Sequence, residues 1–161
     1  MSKYSLIVFD VDGVLSTGRF FYTKEGKYMK EFGPDDHDAL KITAQFINIE
    51  FITADKKGFS ISKKRIQDEM GFQLSLVSTD ERLTWFQNKK KLSEVIYMAD
   101  SFKDIPILKK VGFAMCPSNS DDYCKSVCSY ISKNSGGNRA VSEACFYVLK
   151  NLLNIEIKNI I

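Results

Sequence analysis

The feature that most constrains this chain is an apolar run that stops abruptly at two acids. Tyr4 to Phe9 is rich in β-branched and aromatic residues, and it leads into Asp10-Val11-Asp12-Gly13-Val14-Leu15. The run reads as a buried strand. Side chains alternate faces along a strand, so Asp10 and Asp12 share a direction only where the strand opens into a loop. Gly13 lets that loop turn without a Cβ penalty. In an open α/β sheet the carboxyl ends of strands are where ligands bind. A lone Asp at a strand end is ordinarily a turn former or a helix cap. Two acids there are costly unless a cation or a chemical task holds them.

The rest of the chain alternates strand and helix. Segments 19–22 and 28–32 flank a polar turn containing Gly26 and read as a β-hairpin. Asp35-Asp36-His37-Asp38 then caps a helix over 38–46. Acids in a first helical turn suit the macrodipole, so Asp35 and Asp38 are accounted for structurally. Strands are expected at 49–53, 73–77, 95–99, 112–116 and 130–132, and helices at 58–70, 80–91, 104–111, 120–128 and 138–153. Residues 152–161 form an apolar tail able to dock on the body or on another subunit. Strands separated by helices argue for a parallel sheet with right-handed crossovers. Strand ends at Asp10, Thr53 and Asp100 then fall on one edge and converge on one site.

At 161 residues this is one domain with its own core. Hydrophobic residues at 44% and charged residues at 27% are ordinary for a globular protein. There is no bilayer-length apolar run and no signal peptide, so a cytoplasmic location is expected. A net charge of +3 is too mild to imply nucleic acid, although it favours anionic substrates. Runs such as Lys63-Lys64-Arg65 and Lys89-Lys90-Lys91 read as solvated helix faces. Cys124 and Cys128 have helical spacing, but the only histidine, His37, is remote in sequence. The four cysteines therefore read as reduced, partly buried thiols rather than as a zinc site.

Asp10, Asp12 and Asp100 offer oxygen ligands suited to Mg²⁺, which binds through a few carboxylates, water and a substrate phosphate. Aspartate is also a nucleophile towards phosphorus, so Asp10 can attack while Asp12 protonates the leaving oxygen and later activates water. Thr53 offers a hydroxyl to a phosphate oxygen, and a basic side chain should complete the cradle.

The segments 9–15, 51–53 and 99–104 resemble the haloacid-dehalogenase-like phosphatase superfamily over nearly the whole chain. The hairpin, the Gly18-Arg19-Phe20-Phe21-Tyr22 segment and Gly136-Gly137-Asn138-Arg139-Ala140-Val141 with Glu143 are similar to its capless branch. That branch acts on 3-deoxy-octulosonate 8-phosphate or on nonulosonate 9-phosphates. The resemblance implies a Rossmann-like three-layer α/β sandwich with a central parallel sheet, a small hairpin flap at about 19–32 and no large cap. It also implies a Mg²⁺-dependent phosphomonoesterase that works through an aspartyl-phosphate. Asp10 would be nucleophile and metal ligand, and Asp12 acid/base and metal ligand through its backbone carbonyl. Thr53 and Gly13 would bind phosphate and Asp100 the metal. Asp104 would support the metal shell or merely cap a helix. Members are generally homotetramers in which one subunit's hairpin helps close a neighbour's site.

Several positions depart from that pattern. Thr53 is followed by Ala54-Asp55 rather than glycine, and Asp55 brings a negative charge towards a phosphate pocket. Ser101 stands for a second acid after Asp100, Thr17 for an acid before Gly18, and Ser142 for an arginine before Glu143. Arg82 stands where a phosphate-binding lysine is expected; it either binds phosphate or is a surface residue of a helix. Lys56, Lys89, Lys90 and Lys91 are alternatives for that role, none with a clear positional claim. These departures motivate an alternative, a catalytically weakened homologue serving as an assembly or regulatory module beside a sugar-nucleotide cytidylyltransferase. A receiver-type signalling domain fits less well, because Asp10-Val11-Asp12 is not an adjacent acidic pair. Gly136-Gly137 reads either as a loop entering the last helix or as a segment closing over the sugar or a neighbouring hairpin.

Overall fold

The computed structural model describes residues 2–159. Along the chain run β1 (Leu6–Asp10), the hairpin strands β2 (Ser16–Thr23) and β3 (Gly26–Phe32), α1 (Asp35–Thr43), β4 (Asn48–Thr53) and α2 (Phe59–Lys63). They are followed by β5 (Gln73–Leu76), α3 (Arg82–Lys89), β6 (Val95–Met98), α4 (Ile105–Leu108), β7 (Phe113–Cys116), α5 (Asp122–Lys125), β8 (Tyr130–Ile131) and α6 (Ala140–Tyr147). Wider turns extend α2 over Lys64–Glu69 and α6 over Val148–Leu152.

The main sheet has the order β5-β4-β1-β6-β7-β8, with every neighbouring pair parallel. β1 lies between β4 and β6, and all five of its residues are buried. Its alternation builds the three layers. Ile7 and Phe9 join Leu40, Ile66, Ala144 and Val148 on one face. Leu6 and Val8 join Phe86, Tyr97, Ile107 and Cys124 on the other. Each such buried aliphatic or aromatic side chain contributes about 1.5–3 kcal/mol, a sizeable share of a domain's net stability. The architecture is the expected α/β sandwich, and no large cap is inserted among the described residues. No described helix is long and apolar enough to cross a membrane.

β2 and β3 form a separate antiparallel ribbon. A lone two-stranded ribbon is only marginally stable, and this one is tied down by buried lysines described below. Phe21, Tyr22, Tyr28 and Met29 remain exposed on it.

Element boundaries differ from expectation where a distant contact takes over. α1 begins at Asp35 rather than at 38, with Pro34 before it and no side-chain cap of its own. Asp36 instead accepts a hydrogen bond from Ser142 N at 2.8 Å, so an acid of α1 serves the first turn of α6. α6 starts at Ala140 because Arg139 is left-handed (φ 71°). The helices expected at 104–111 and 120–128 shrink to Ile105–Leu108 and Asp122–Lys125. In the apolar tail, Leu152 and Leu153 pack against the core, while residues 160–161 lie outside the described part.

Candidate active site

The alternation that buries Val8 beside Tyr97 turns Asp10 towards the same layer, and α3 delivers Arg82 there. Arg82 Nη1 donates to Asp10 Oδ2 at 3.1 Å and Nη2 to Asp10 Oδ1 at 3.2 Å, a forked pair. Nη1 also reaches Asp104 Oδ1 at 2.6 Å and Tyr97 Oη at 3.0 Å. The Tyr97 hydroxyl in turn donates to Asp104 Oδ1 at 2.8 Å. Arg82 is thus a buried member of the site, not a surface residue. Burial pushes the Asp10 carboxyl up to about 6, against the pull of Arg82 and with the help of Asp104. Burial opposes charge on Arg82, yet Tyr97, Asp10 and Asp104 keep the guanidinium firmly protonated.

Asp12 points elsewhere. Its Oδ1 lies 2.7 Å from Lys30 Nζ of β3, and its Oδ2 accepts from the Thr53 hydroxyl at 3.0 Å. Lys30 also reaches Asp55 at 2.8 Å and donates to Ser62 Oγ at 2.8 Å. Lys27 makes a second ion pair with Asp55 and sits 3.4 Å over the Phe20 ring. The negative charge after Thr53 is therefore absorbed by the hairpin. Burial works against ionised Asp55, but Lys27, Lys30 and Gly58 N together hold its carboxyl down at about 2.

The loop between Asp10 and Ser16 is braced from the chain's far end. Val11 N donates to Asp10 Oδ1 at 2.8 Å. Gly13 adopts φ 90°, a region open to glycine, and a Cβ there would collide with the Asp100 carboxylate. Asn119 Nδ2 donates to Gly13 O at 3.0 Å, and Asn119 Oδ1 accepts from Gly136 N at 2.6 Å. Gly137 N donates to Val14 O at 3.1 Å. The paired glycines thus close over the chain's own acidic loop. Glu143 accepts from Tyr130 Oη, Lys133 N and Asn134 N, which fixes the segment leading to those glycines.

Asp100, past the end of β6, is drawn up to about 7 by burial first, then by Asp10 and Asp104. Asp10, Asp12, Asp55 and Asp104 pair with the cations Lys27, Lys30 and Arg82, while Asp100 makes no ion pair among the described residues. The excess of two carboxylates, all hard oxygen donors, suits one divalent cation of the Mg²⁺ type. The side chains of Asp10, Asp12 and Asp100 are not gathered within 4.8 Å of one another; among the described residues only a set of three cysteines is. Like charges separate, and Arg82 and Lys30 draw Asp10 and Asp12 to opposite sides. A cleft of about 560 Å³ is lined by Ala54, Ser78, Thr79, Asp80 and Lys103; Ala54 follows Thr53 in the chain.

Sequence reasoning missed Lys27, Lys30, Tyr97 and Asn119. Tyr97 was accessible through strand parity, since it sits across from Val8 in parallel register. The lysines carried no such signal. Lys89, one of the alternatives to Arg82, pairs with Glu50 at 2.9 Å.

No family model matches the chain. It is 26% identical over 153 residues to the 3-deoxy-D-manno-octulosonate 8-phosphate phosphatase of Escherichia coli (strain K12), covering 89% of this chain and 78% of that protein. Its fold matches the phosphatase of that name from Moraxella catarrhalis, solved with a magnesium ion, a phosphate ion and a KDO molecule. The TM-score is 0.85 at 28% identity, over 98% of this chain and 92% of that one. A Legionella pneumophila protein described as a putative hydrolase of HAD superfamily subfamily III A matches with a TM-score of 0.78 and 27% identity, over 92% and 84% of the two chains. In sequence and in fold, this chain is similar to 3-deoxy-D-manno-octulosonate 8-phosphate phosphatases and to a hydrolase described as of the HAD superfamily.

Proposed function

We propose that residues 1–161 form one phosphatase domain, a Mg²⁺-dependent phosphomonoesterase acting on a phosphorylated sugar acid of the octulosonate or nonulosonate class. The observation that carries this reading is the forked Arg82–Asp10 pair at the end of the central strand, next to an Asp100 carboxyl crowded by like charges. In this reading an Asp10 oxygen bonds to phosphorus as the bond from phosphorus to the sugar oxygen breaks. Asp12 gives that oxygen its proton. Asp12 then takes a proton from water, whose oxygen displaces Asp10 and releases inorganic phosphate. Arg82, Thr53 and the Gly13 turn hold the phosphoryl oxygens, and Asp104 with Tyr97 orients Arg82. A Mg²⁺ ion held by Asp10, Asp100 and the Asp12 carbonyl would neutralise the meeting of carboxylate and phosphoryl dianion.

Lys103, which makes no ion pair among the described residues, lines the cleft where the substrate's carboxylate would lie. The exposed hairpin aromatics fit assembly into a homotetramer, and the reaction fits a cytoplasmic enzyme. The test is phosphate release from a panel of sugar-acid phosphates, with Mg²⁺ or with EDTA. Turnover should vanish in EDTA and fall on the order of 10³-fold or more in Asp10→Asn. No turnover on any member of the panel would overturn the enzymatic reading in favour of an assembly module.

A further inference from the structure

Three cysteines that this reaction leaves unused meet in one place. Cys116 ends β7, Cys124 lies within α5, and Cys128 lies three residues past the end of α5. Their sulfurs all lie within 4.8 Å of one another, although Cys116 is 8 positions from Cys124 in sequence. Zinc–sulfur bonds of about 2.3 Å in tetrahedral geometry set sulfurs roughly 3.8 Å apart, so a small contraction suffices. All three cysteines are free, with Cys116 and Cys124 fully buried. Beside them Ser120 Oγ is buried without an aligned hydrogen-bond partner. Such an orphaned polar atom is uncommon in a folded interior and calls for an explanation.

We propose that Cys116, Cys124 and Cys128 form a three-thiolate zinc site, with Ser120 Oγ or a water in the fourth position. The ligands stand on fixed backbone. Cys116 O accepts from Ser132 N at 2.9 Å, and Asp121 Oδ1 caps α5 by accepting from Cys124 N at 2.8 Å. Binding releases the thiol protons to solvent. The cluster also touches the acidic site's framework. Cys124 Sγ donates to Ala99 O at 3.6 Å, and Asp121 N donates to Asp100 O at 3.3 Å. A zinc ion here clamps the segment after β7 against the loop that carries Asp100. Softness sorts the two cations, thiolates selecting zinc and carboxylates magnesium.

The test is elemental analysis of the full chain, purified under reducing, anaerobic conditions from zinc-sufficient cells and dialysed with Mg²⁺. Close to one zinc per chain is expected. It should be lost in Cys124→Ser and Cys128→Ser and kept in Cys145→Ser and Asp10→Asn. Cobalt replacing zinc should give an intense near-ultraviolet sulfur-to-cobalt band. Stripping with a strong zinc chelator should lower the Tm by about 8 °C or more. Zinc far below one per chain, a disulfide within the trio, another metal in zinc's place, or Cys→Ser variants that keep their zinc would each overturn the assignment. Retained Mg²⁺-dependent turnover in zinc-free protein would leave the phosphatase reading standing, so the two proposals fail separately.

Discussion

Replacing Arg82 by alanine removes the cation that two buried carboxylates share. Asp10 and Asp104 would be left facing each other with only Tyr97 between them. Breaking a buried ion pair by deleting one partner costs about 3–5 kcal/mol. Proton uptake limits that cost here. Burial already pushes the Asp10 carboxyl up to about 6, so protonating it at pH 7 costs only about 1.4 kcal/mol. A loss of about 3 kcal/mol at pH 7.5 follows, or a fall in Tm of roughly 6–12 °C for a chain of this size.

The pH dependence has a definite sign. The folded pKa of Asp10 lies above its unfolded value of 3.8. Its contribution is therefore fully present below the unfolded value and is lost as pH rises through about 6. Without Arg82 the folded value climbs further, so the penalty is widest above pH 7 and narrows on acidification towards pH 5. Urea denaturation followed through Trp85, on the same helix as Arg82, measures both quantities. Arg82→Lys keeps the charge but loses the fork, and should cost about 1–2 kcal/mol. A loss in Arg82→Ala below about 1 kcal/mol at pH 7.5, or a gap that grows as pH falls, would refute the reasoning.

Two further outcomes are expected. Lys30→Met leaves Asp12 without its cation and weakens the hold on Asp55, costing about 2–3 kcal/mol; it should also speed proteolytic cleavage at the Lys24–Glu25 turn, and unchanged cleavage would contradict the anchoring role. Asp36, pushed up to about 6 chiefly by burial, destabilises the fold as pH rises through that value. Asp36→Asn keeps the acceptor for Ser142 N and should gain about 1–2 kcal/mol at pH 8 and nothing below pH 4, as read from thermal melts across that range; a loss at pH 8 would count against it.

The fold was legible because the strongest local signal, an apolar run ended by acids, coincides with the central strand. The alternation of apolar strands and amphipathic helices extended it to the whole sheet. In the candidate site, the positions of Asp10 at the end of β1 and Asp100 just past β6 were legible from the sequence. Arg82 was legible by position but not by burial, since Asp80-Glu81-Arg82 looks like the solvated start of a helix. Lys30, Asp36 and Cys116 could not be read, because each acts on a residue from another element. Lys30 meets Ser62 across 32 positions, and Asp36 meets Ser142 across 106. A charged residue in a hairpin or a first helical turn has an adequate local explanation, which hides its distant partner.

The brace on the acidic loop has a consequence for how the protein is made. Gly13 O and Val14 O are held by Asn119 and Gly137, which leave the ribosome more than a hundred codons after the loop they secure. A nascent chain can complete the strands from β1 to β6 and still lack a set turn at Gly13. Chemical competence therefore arrives as a late event in synthesis, and premature release of the polypeptide yields a body without a working mouth.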